Sequence, residues 1–185
     1  MKNNLFIISG PSASGKDTII KELKKQGVKF QKVITTSTRP MRQGEKQGSP
    51  YWFISKEDFE DLIKEGKFVE WALVYGNYYG TQKKDLDRCL KTGQLVILKV
   101  DPQGARSIKR KFPSAKIIFI IPPDLETLEK RLKLRGKDSP ESIKRRLEKA
   151  KEELKNLDQW DYLVLNEQGK LDKAVEEVKR ILKGA

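Results

Sequence analysis

A glycine-rich loop near the start of the chain carries the clearest chemical signal in the sequence. Residues 10–18 read GPSASGKDT, which contains a G-x-x-x-x-G-K pattern running from Gly10 to Lys16. In such a loop successive backbone N–H groups converge on phosphate oxygens, the following helix adds the positive end of its dipole, and the lysine supplies a mobile charge. The pattern predicts a site for the phosphates of ATP or GTP. Its candidate residues are Gly10, Pro11, Ser12, Ala13, Ser14, Gly15, Lys16, Asp17 and Thr18.

The residue after the lysine departs from this pattern. A serine or threonine is usual there, whereas this chain has Asp17, with Thr18 one position later. A carboxylate at this position can bind Mg²⁺, directly or through water, or it can repel a phosphate. The sequence leaves both alternatives open, and Asp17 and Thr18 are candidate magnesium ligands.

The loop must be held between a strand and a helix, and the sequence provides both. An apolar run at 5–9 precedes the loop, and a helical pattern over 16–26 follows it. Comparable apolar runs recur at 33–36, 95–100, 117–121 and 162–165. Because these runs are nearly continuous rather than alternating, they are typical of parallel strands that are covered on both faces.

Amphipathic stretches separate the apolar runs. Pro140 after Ser139 marks the start of a helix that should reach about 157, and the stretch 171–182 carries a continuous apolar stripe at helical spacing. Strands that alternate with helices predict an α/β fold in which a parallel sheet is flanked by helices.

One segment, 37–82, interrupts this alternation with short pieces rich in Thr, Arg, Gly, Tyr and Trp. It contains one predicted small helix behind Ser55, because Asp58 three residues later completes a capping pattern. We interpret the segment as a subdomain inserted at the edge of the sheet. A second interruption, 136–139, is a short loop between two basic helices.

The composition excludes several kinds of site. The 185 residues suit a single domain. The absence of histidine excludes His-based triads, His-ligated zinc and histidine general bases, and the single cysteine, Cys89, excludes an intrachain disulfide and a four-cysteine metal site. One cysteine is typical of a reducing compartment, and the longest later apolar run is far shorter than the ~20 residues of a membrane helix. We therefore expect a cytoplasmic protein with no membrane partner.

The chain is strongly basic, with 39 Lys and Arg against 26 Asp and Glu and a net charge of +13. This excess suits a partner rich in negative charge, such as a nucleotide, a nucleic acid or an anionic membrane, but a solvated, heat-adapted surface explains it equally well. The aromatic residues do not interleave with a basic stripe, so we expect no nucleic-acid partner. Nothing in the sequence indicates an oligomeric state.

Further short motifs appear in a fixed order along nearly the whole chain. They are TTSTRPMRQGE at 35–45, EWA at 70–72, GNYYGT at 76–81, DPQG at 101–104 and RLKLRG at 131–136. With the phosphate loop, their order and spacing make the chain resemble guanylate kinases. The resemblance implies a P-loop NTPase-type sheet in one domain, with a core of 1–36, 83–124 and 149–185, a GMP-binding insert at 37–82 and a lid at 125–148. It also implies transfer of the γ-phosphoryl group of ATP to GMP, and to dGMP, with Mg²⁺ as cofactor, in purine nucleotide metabolism and GMP recycling.

The resemblance implies a role for each residue of the acceptor site. The arginines and tyrosines at 39, 42, 51 and 79 would hold the GMP phosphate, because Arg binds a phosphate in a planar, bidentate way and Tyr donates without adding charge. Glu70 would accept the N–H donors of guanine, and Asp101 would serve the guanine or the Mg²⁺ shell. Each of these residues also has an interpretation without a function. Arg39 could belong to a solvated loop, Glu70 could be a surface acid, and Asp101 could cap a helix. The implied GMP site comprises Thr35, Arg39, Arg42, Tyr51, Glu70, Tyr79, Gly80, Thr81 and Asp101.

On the ATP side the resemblance implies arginines that reach the phosphates from the lid. These match Arg131, Arg135 and Arg146, although Arg145 stands beside the last of them. The family position near the adenine matches Arg135 and Asn166. The implied catalytic set is Lys16, Arg39, Arg131, Arg135 and Arg146. No general base is needed, because a nucleoside monophosphate is already largely ionised at neutral pH.

A second departure lies two residues before Asp101. Many guanylate kinases carry an acid there, whereas this chain has Lys99. The reversal weakens the case for a complete acidic set near the guanine or the metal. Three other functions stay open: a non-catalytic guanylate-kinase-like module that binds a protein, a related kinase of a phosphorylated small molecule such as a sugar phosphate, and a basic nucleic-acid binder.

Overall fold

The computed structural model describes residues 4–134, 136 and 139–184. In these ranges the elements are, in chain order, β1 Leu5–Ser9, α1 Lys16–Lys25, β2 Gln31–Lys32, β3 Thr35–Ser37, β4 Tyr51–Phe53, α2 Lys56–Lys64, β5 Phe68–Val74, β6 Asn77–Gln82, α3 Lys83–Leu90, β7 Val96–Lys99, α4 Pro102–Lys111, β8 Lys116–Ile121, α5 Leu125–Leu134, α6 Pro140–Glu153, β9 Tyr162–Leu165 and α7 Leu171–Gly184. None of the described helices is long and apolar enough to cross a membrane.

The central sheet has five parallel strands in the order β2-β7-β1-β8-β9. The inner strands β7, β1 and β8 are largely buried on both faces, because successive side chains point to opposite sides and each side has its own helices. Ile7 belongs to one apolar cluster, and Ile8, its neighbour in β1, belongs to the other. The predicted α/β fold with a parallel sheet flanked by helices is confirmed.

The predicted strand over 33–36 is wrong in its bounds. The structure has two short strands instead, β2 in the central sheet and β3 in a second sheet. Between them Val33 is still bonded to the central sheet, through its N–H to the carbonyl of Ile97, and its side chain is buried in the core. The chain changes sheets at this point, which a single apolar run conceals.

The second sheet has four strands in the order β4-β3-β6-β5 and lies within residues 35–82. Its apolar side is covered by α2, where Phe59 stacks on Phe68 and on Tyr78 with ring centroids 4.3 and 5.1 Å apart. As expected, Ser55 caps this helix by accepting a hydrogen bond from the Asp58 N–H. The sheet therefore has a small core of its own beside the central one.

Two helices that face the cavity, α4 and α6, start at side-chain caps. Asp101 caps α4 by accepting from the N–H of Gly104, and Ser139 caps α6 by accepting from the N–H of Ser142. The start predicted for α6 at Pro140 is confirmed, but the helix ends at Glu153 rather than near 157. Both caps lie close to the predicted site, so the helix starts fix the positions of its polar groups.

Candidate active site

A cavity of about 830 Å³ lies where the phosphate loop, the second sheet, the end of β7 and helix α6 meet. Ligands of open α/β sheets bind at the carboxyl ends of the strands, which is where this cavity opens. Its walls include Lys16 from the loop, Tyr51 and Glu70 from the second sheet, Asp101 after β7 and Arg146 from α6. Residues that are far apart in the sequence therefore line the same cavity.

The phosphate loop has a backbone that only small residues allow. Gly10 has φ 139°, and a Cβ there would lie 2.4 Å from the carbonyl oxygen of Ile120. Gly15 has φ 98°, and a Cβ there would lie 2.1 Å from the side-chain amide of Asn166. The Lys16 ammonium donates to the loop carbonyls of Gly10 and Pro11, at 2.6 and 2.7 Å. The lysine thus lies over the concave loop, in position to meet an anion bound there.

Asn166 supports the loop from behind. Its side chain is buried, and its amide nitrogen donates to the carbonyl of Ser14 at 2.8 Å. Arg131 in turn donates to the backbone carbonyl of Asn166 at 3.0 Å. Neither side chain lines the cavity. Asn166 thus ties the end of β9 to the phosphate loop, and Arg131 is bonded to the backbone of Asn166.

The two departures from the family pattern form one ion pair. Lys99 Nζ lies 2.7 Å from Asp17 Oδ1 and donates at 2.9 Å to the hydroxyl of Tyr51. Desolvation would raise the pKa of Asp17, but the charge and hydrogen bond of Lys99 outweigh it and lower the pKa to about 2. Burial would lower the pKa of Lys99, but its two partners raise it above the ordinary value. Both side chains therefore stay ionised at neutral pH.

Arg39 is buried in the part of the cavity lined by Arg42, Tyr51 and Tyr79. We call this part the acceptor half, because the resemblance implies an acceptor phosphate there. Its guanidinium donates to both carboxylate oxygens of Glu45, and it lies 5.1 Å from the ring centroids of Tyr51 and Phe53. Burial would lower the pKa of Arg39, but the hydrogen bond and charge of Glu45 raise it. The hydrogen bond from Arg39 also holds the pKa of Glu45 below its usual value. Glu45 was missed by the sequence analysis, although it ends the quoted motif at 35–45.

Two tyrosines complete this half of the cavity. The rings of Tyr51 and Tyr79 meet edge to face, with centroids 5.8 Å apart. Burial raises the pKa of Tyr79, so its phenol keeps its proton and remains a donor. Arg42 is exposed and lies on the cavity wall. Two cations and two hydroxyls thus line the place where the resemblance puts an acceptor phosphate.

A buried carboxylate lies deeper in the cavity. Glu70 Oε1 accepts a hydrogen bond from the Thr81 hydroxyl at 2.5 Å. Burial raises the pKa of Glu70 to about 7, against the opposing effect of Thr81 and with a further contribution from Asp101. Asp101 Oδ1 caps Gly104, while Asp101 Oδ2 is buried and has no hydrogen-bond partner among the described residues. The pocket therefore offers acceptor oxygens suited to a ligand edge rich in N–H groups.

Helix α6 forms a further wall of the cavity, next to the phosphate loop. The Arg146 guanidinium donates to the Ser12 hydroxyl at 2.9 Å and lies 4.3 Å from the ring centroid of Tyr75. Tyr75 belongs to the tight turn between β5 and β6, where its φ is 50°. Arg145 and Lys149 also line the cavity. One arginine thus connects the phosphate loop, the helix and the second sheet.

Comparison with known proteins agrees with these motifs. The sequence profile described as "Guanylate kinase" matches residues 2–185. The chain belongs to the guanylate kinase family.

Individual members of the guanylate kinase family are similar over nearly the whole chain. The guanylate kinase of Carboxydothermus hydrogenoformans is 44% identical over 181 residues, which span 98% of this chain and 88% of that protein. The guanylate kinase of Streptococcus agalactiae is 45% identical over 179 residues, spanning 96% of this chain and 85% of that one. The crystal structure of guanylate kinase from Anaplasma phagocytophilum superposes with a TM-score of 0.78 at 28% identity, covering 97% of this chain and 84% of that one.

Most residues expected in the site of a guanylate kinase line the one cavity. They are Gly10, Ser12, Ala13, Gly15, Lys16, Asp17, Thr35, Arg39, Arg42, Tyr51, Glu70, Tyr79, Gly80, Asp101 and Arg146. Thr81 reaches the cavity only through its bond to Glu70. The residues that the structure does not bring to the cavity wall are Pro11, Ser14, Thr18, Arg131 and Asn166. Arg135 lies outside the described residues.

The three predicted magnesium ligands differ in their surroundings. Thr18 is exposed and does not line the cavity, Asp17 is paired with Lys99, and Asp101 lies beside Glu70. In the described part of the chain no group of three or more acidic or cysteine side chains is placed to hold a metal ion. A magnesium ion is usually held by one or two carboxylates together with substrate phosphates, so Asp17, Thr18 and Asp101 stay predicted ligands of a nucleotide-bound Mg²⁺.

Proposed function

We propose that this guanylate kinase family member transfers the γ-phosphoryl group of ATP to GMP, giving ADP and GDP. The observation that carries the proposal is one cavity that joins the phosphate loop to a pocket containing the buried Glu70–Thr81 pair. A donor and an acceptor bound in the two halves would react without leaving the cavity. Most of the catalytic work is then positioning and charge stabilisation.

Glu70 is the residue that would recognise the guanine base. Guanine presents adjacent N–H donors on its Watson–Crick edge, and a carboxylate accepts two such bonds at once. Binding of those donors favours the ionised form of Glu70 over the protonated form that burial promotes. Adenine lacks this donor pair and would leave the buried carboxylate unpaired, so the pocket selects against AMP. The deoxyribose analogue dGMP keeps the same edge and is an expected second acceptor.

The acceptor phosphate would be held by Arg39, Arg42, Tyr51 and Tyr79, which line the other side of this pocket. Its oxygens are already largely ionised at neutral pH, since the second pKa of a phosphate monoester is about 6. One of them can attack the γ-phosphorus of ATP without a general base. This explains how a chain without histidine can carry out the transfer.

The ATP phosphates would lie on the loop 10–16, with Lys16 and Arg146 meeting the charge of the transferring group. Arg131 and Arg135 remain proposed members of this set that would approach when the helices around residue 136 move. We propose that Mg²⁺ arrives bound to ATP and is held by its phosphates. The chain itself then contributes the nucleotide-binding loop and the arginines.

We also propose the division into a core, an insert at 37–82 and a lid at 125–148 that close on the two nucleotides. Support comes from the contact of Arg146 with Tyr75 on one side and Ser12 on the other. Closure would exclude water and suppress ATP hydrolysis. Small-angle scattering with and without both nucleotides tests this, because an unchanged radius of gyration would contradict closure.

The decisive experiment measures ADP formation from Mg·ATP with GMP, dGMP, AMP, CMP and UMP in parallel, and with no acceptor as a control. We expect turnover with GMP and dGMP alone. Tight ATP binding without turnover on any of them would overturn the proposal. A sugar phosphate that outperforms GMP would assign the protein to a different class of kinase.

A further inference from the structure

Lys99 lies between the two halves of the cavity and contacts both. It ends β7, is only 8% exposed, and its Nζ reaches Asp17 in the first turn of α1 and Tyr51 in β4. These partners come from two different elements, 82 and 48 residues away along the chain. The ammonium also lies 4.8 Å from the centroid of the Tyr51 ring. A single buried cation thus connects the phosphate loop to the acceptor pocket.

The pair with Asp17 explains why a lysine is tolerated at this place. A buried ammonium is costly unless a counter-charge and hydrogen bonds compensate for it. Asp17 supplies the charge at 2.7 Å, and Tyr51 supplies a second acceptor at 2.9 Å. Loss of Asp17 would leave the buried ammonium without its counter-charge, whereas Asp17 itself is 61% exposed. Asp17 and Lys99 are therefore one structural unit rather than two independent departures.

The bond to Tyr51 has a directional consequence. A phenol has one O–H to donate and can accept through its oxygen lone pairs. Because Lys99 donates to the Tyr51 oxygen, the hydroxyl proton must point away from Lys99. Tyr51 lines the acceptor half of the cavity together with Arg39 and Tyr79, and an acceptor phosphate bound there offers an oxygen to that proton.

We propose that Lys99 is a positioning residue for the acceptor phosphate, which acts by turning the hydroxyl proton of Tyr51 toward it. Asp17 provides the counter-charge that keeps Lys99 in place. Lys99 need not touch either nucleotide. The inference rests on the proposed function, since it takes the phosphate of GMP as the group that Tyr51 meets.

The test uses three variants. The double variant combines Lys99→Met and Asp17→Asn, so that no buried charge is left unpaired. The second is Tyr51→Phe alone, and the triple variant combines all three changes. GMP and guanosine affinities are measured by calorimetry without ATP, and KM values for GMP and ATP by steady-state kinetics. Lys32→Gln is the matched control, because Lys32 lies near the same pair but does not line the cavity. Thermal unfolding of each variant checks that the fold is intact.

We expect the double variant to bind GMP about tenfold more weakly, because the charge-assisted hydrogen bond from Tyr51 to the phosphate is weakened when Lys99 no longer orients its proton. Guanosine, which has no phosphate, should bind all variants equally, and the triple variant should be no worse than Tyr51→Phe. Parent-like GMP affinity in the double variant would overturn the inference. A triple variant whose loss of GMP affinity equals the sum of the losses in the double variant and in Tyr51→Phe would also overturn it, because Lys99 would then act without Tyr51. Failure of the parent protein to bind GMP would overturn the proposed function itself, and is thereby distinguished from failure of the Lys99 role.

Discussion

Arg39 and Glu45 form a bidentate ion pair in the acceptor half of the cavity, with nitrogen–oxygen distances of 2.7 and 2.6 Å. Glu45 also accepts the backbone N–H of Arg42 at 2.8 Å. One carboxylate therefore fixes both arginines of the loop 39–45. This pair orients the guanidinium of Arg39 before any phosphate binds, so less side-chain freedom is lost on binding.

Replacement of the Glu45 carboxylate should weaken the binding of GMP. In Glu45→Gln the charge is lost and Arg39 is less well oriented, so we expect the KM for GMP to rise about fivefold with little change in the KM for ATP. Steady-state kinetics with each substrate varied in turn measures both. Glu65→Gln removes an exposed acid at the end of α2 and should leave both values at the parent level. Equal rises in the two KM values would mean a general loss of structure instead.

Glu70→Gln should reduce the specificity for guanine. An amide offers one acceptor oxygen where a carboxylate offers two, and its NH₂ group would face the N–H donors of the base. We expect kcat/KM for GMP to fall at least about 100-fold, while the value for AMP stays near its low starting level. A competition assay with both acceptors gives the ratio directly. An unchanged GMP-to-AMP ratio would remove Glu70 from the specificity site.

The substitution Glu70→Gln should also change how the free energy of unfolding depends on pH. Burial raises the pKa of Glu70 from 4.5 to about 7 in the folded chain. Between these values the unfolded chain loses its proton while the folded chain keeps it, so the free energy of unfolding falls as pH rises and levels off above 7. The full penalty is about 3 kcal/mol.

Glu70→Gln does not titrate, so its stability relative to the parent should rise between pH 4.5 and 7. Urea unfolding at pH 5 and pH 8 without ligand measures this difference. Glu65→Gln again serves as the control for loss of one acidic group. A gap between parent and variant that stays constant from pH 5 to pH 8 would contradict the raised pKa.

Gly104→Ala tests how closely the guanine pocket is built. A Cβ at this position would lie 2.7 Å from Glu70 Oε2 and 3.2 Å from Asp101 Oδ1, so the two carboxylates must move apart. We expect a KM for GMP raised about tenfold, with the KM for ATP unchanged, since a displacement of this size disturbs two hydrogen-bonding groups. Gly184→Ala, where a Cβ meets nothing within 4 Å, is the matched control. GMP kinetics that match this control would mean that the pocket is more adaptable than its geometry indicates.

The central sheet was largely predictable from the sequence. The run at 162–165 coincides with β9, and those at 95–100 and 117–121 differ from β7 and β8 by one or two residues. Continuous apolar runs arise because both faces of these strands are covered, and that pattern is local. The split between β2 and β3 was not predictable, because it depends on which distant strand each short piece pairs with.

The site was predictable where residues belong to short motifs. Lys16, Arg39 and Glu70 were placed in a site by the motifs that contain them, and all three line the cavity. The pairing of Asp17 with Lys99 was missed because each was considered alone. The start of α1 and the end of β7 meet at the same edge of a parallel sheet, so two opposite charges there could have been considered together.

The hydrogen bond from Asn166 to the carbonyl of Ser14 joins residues 152 positions apart. Because synthesis proceeds from the N-terminus, the phosphate loop leaves the ribosome well before Asn166. A chain interrupted before β9 therefore lacks the amide that holds the loop in shape. The phosphate loop therefore gains this support only after β9 has been made.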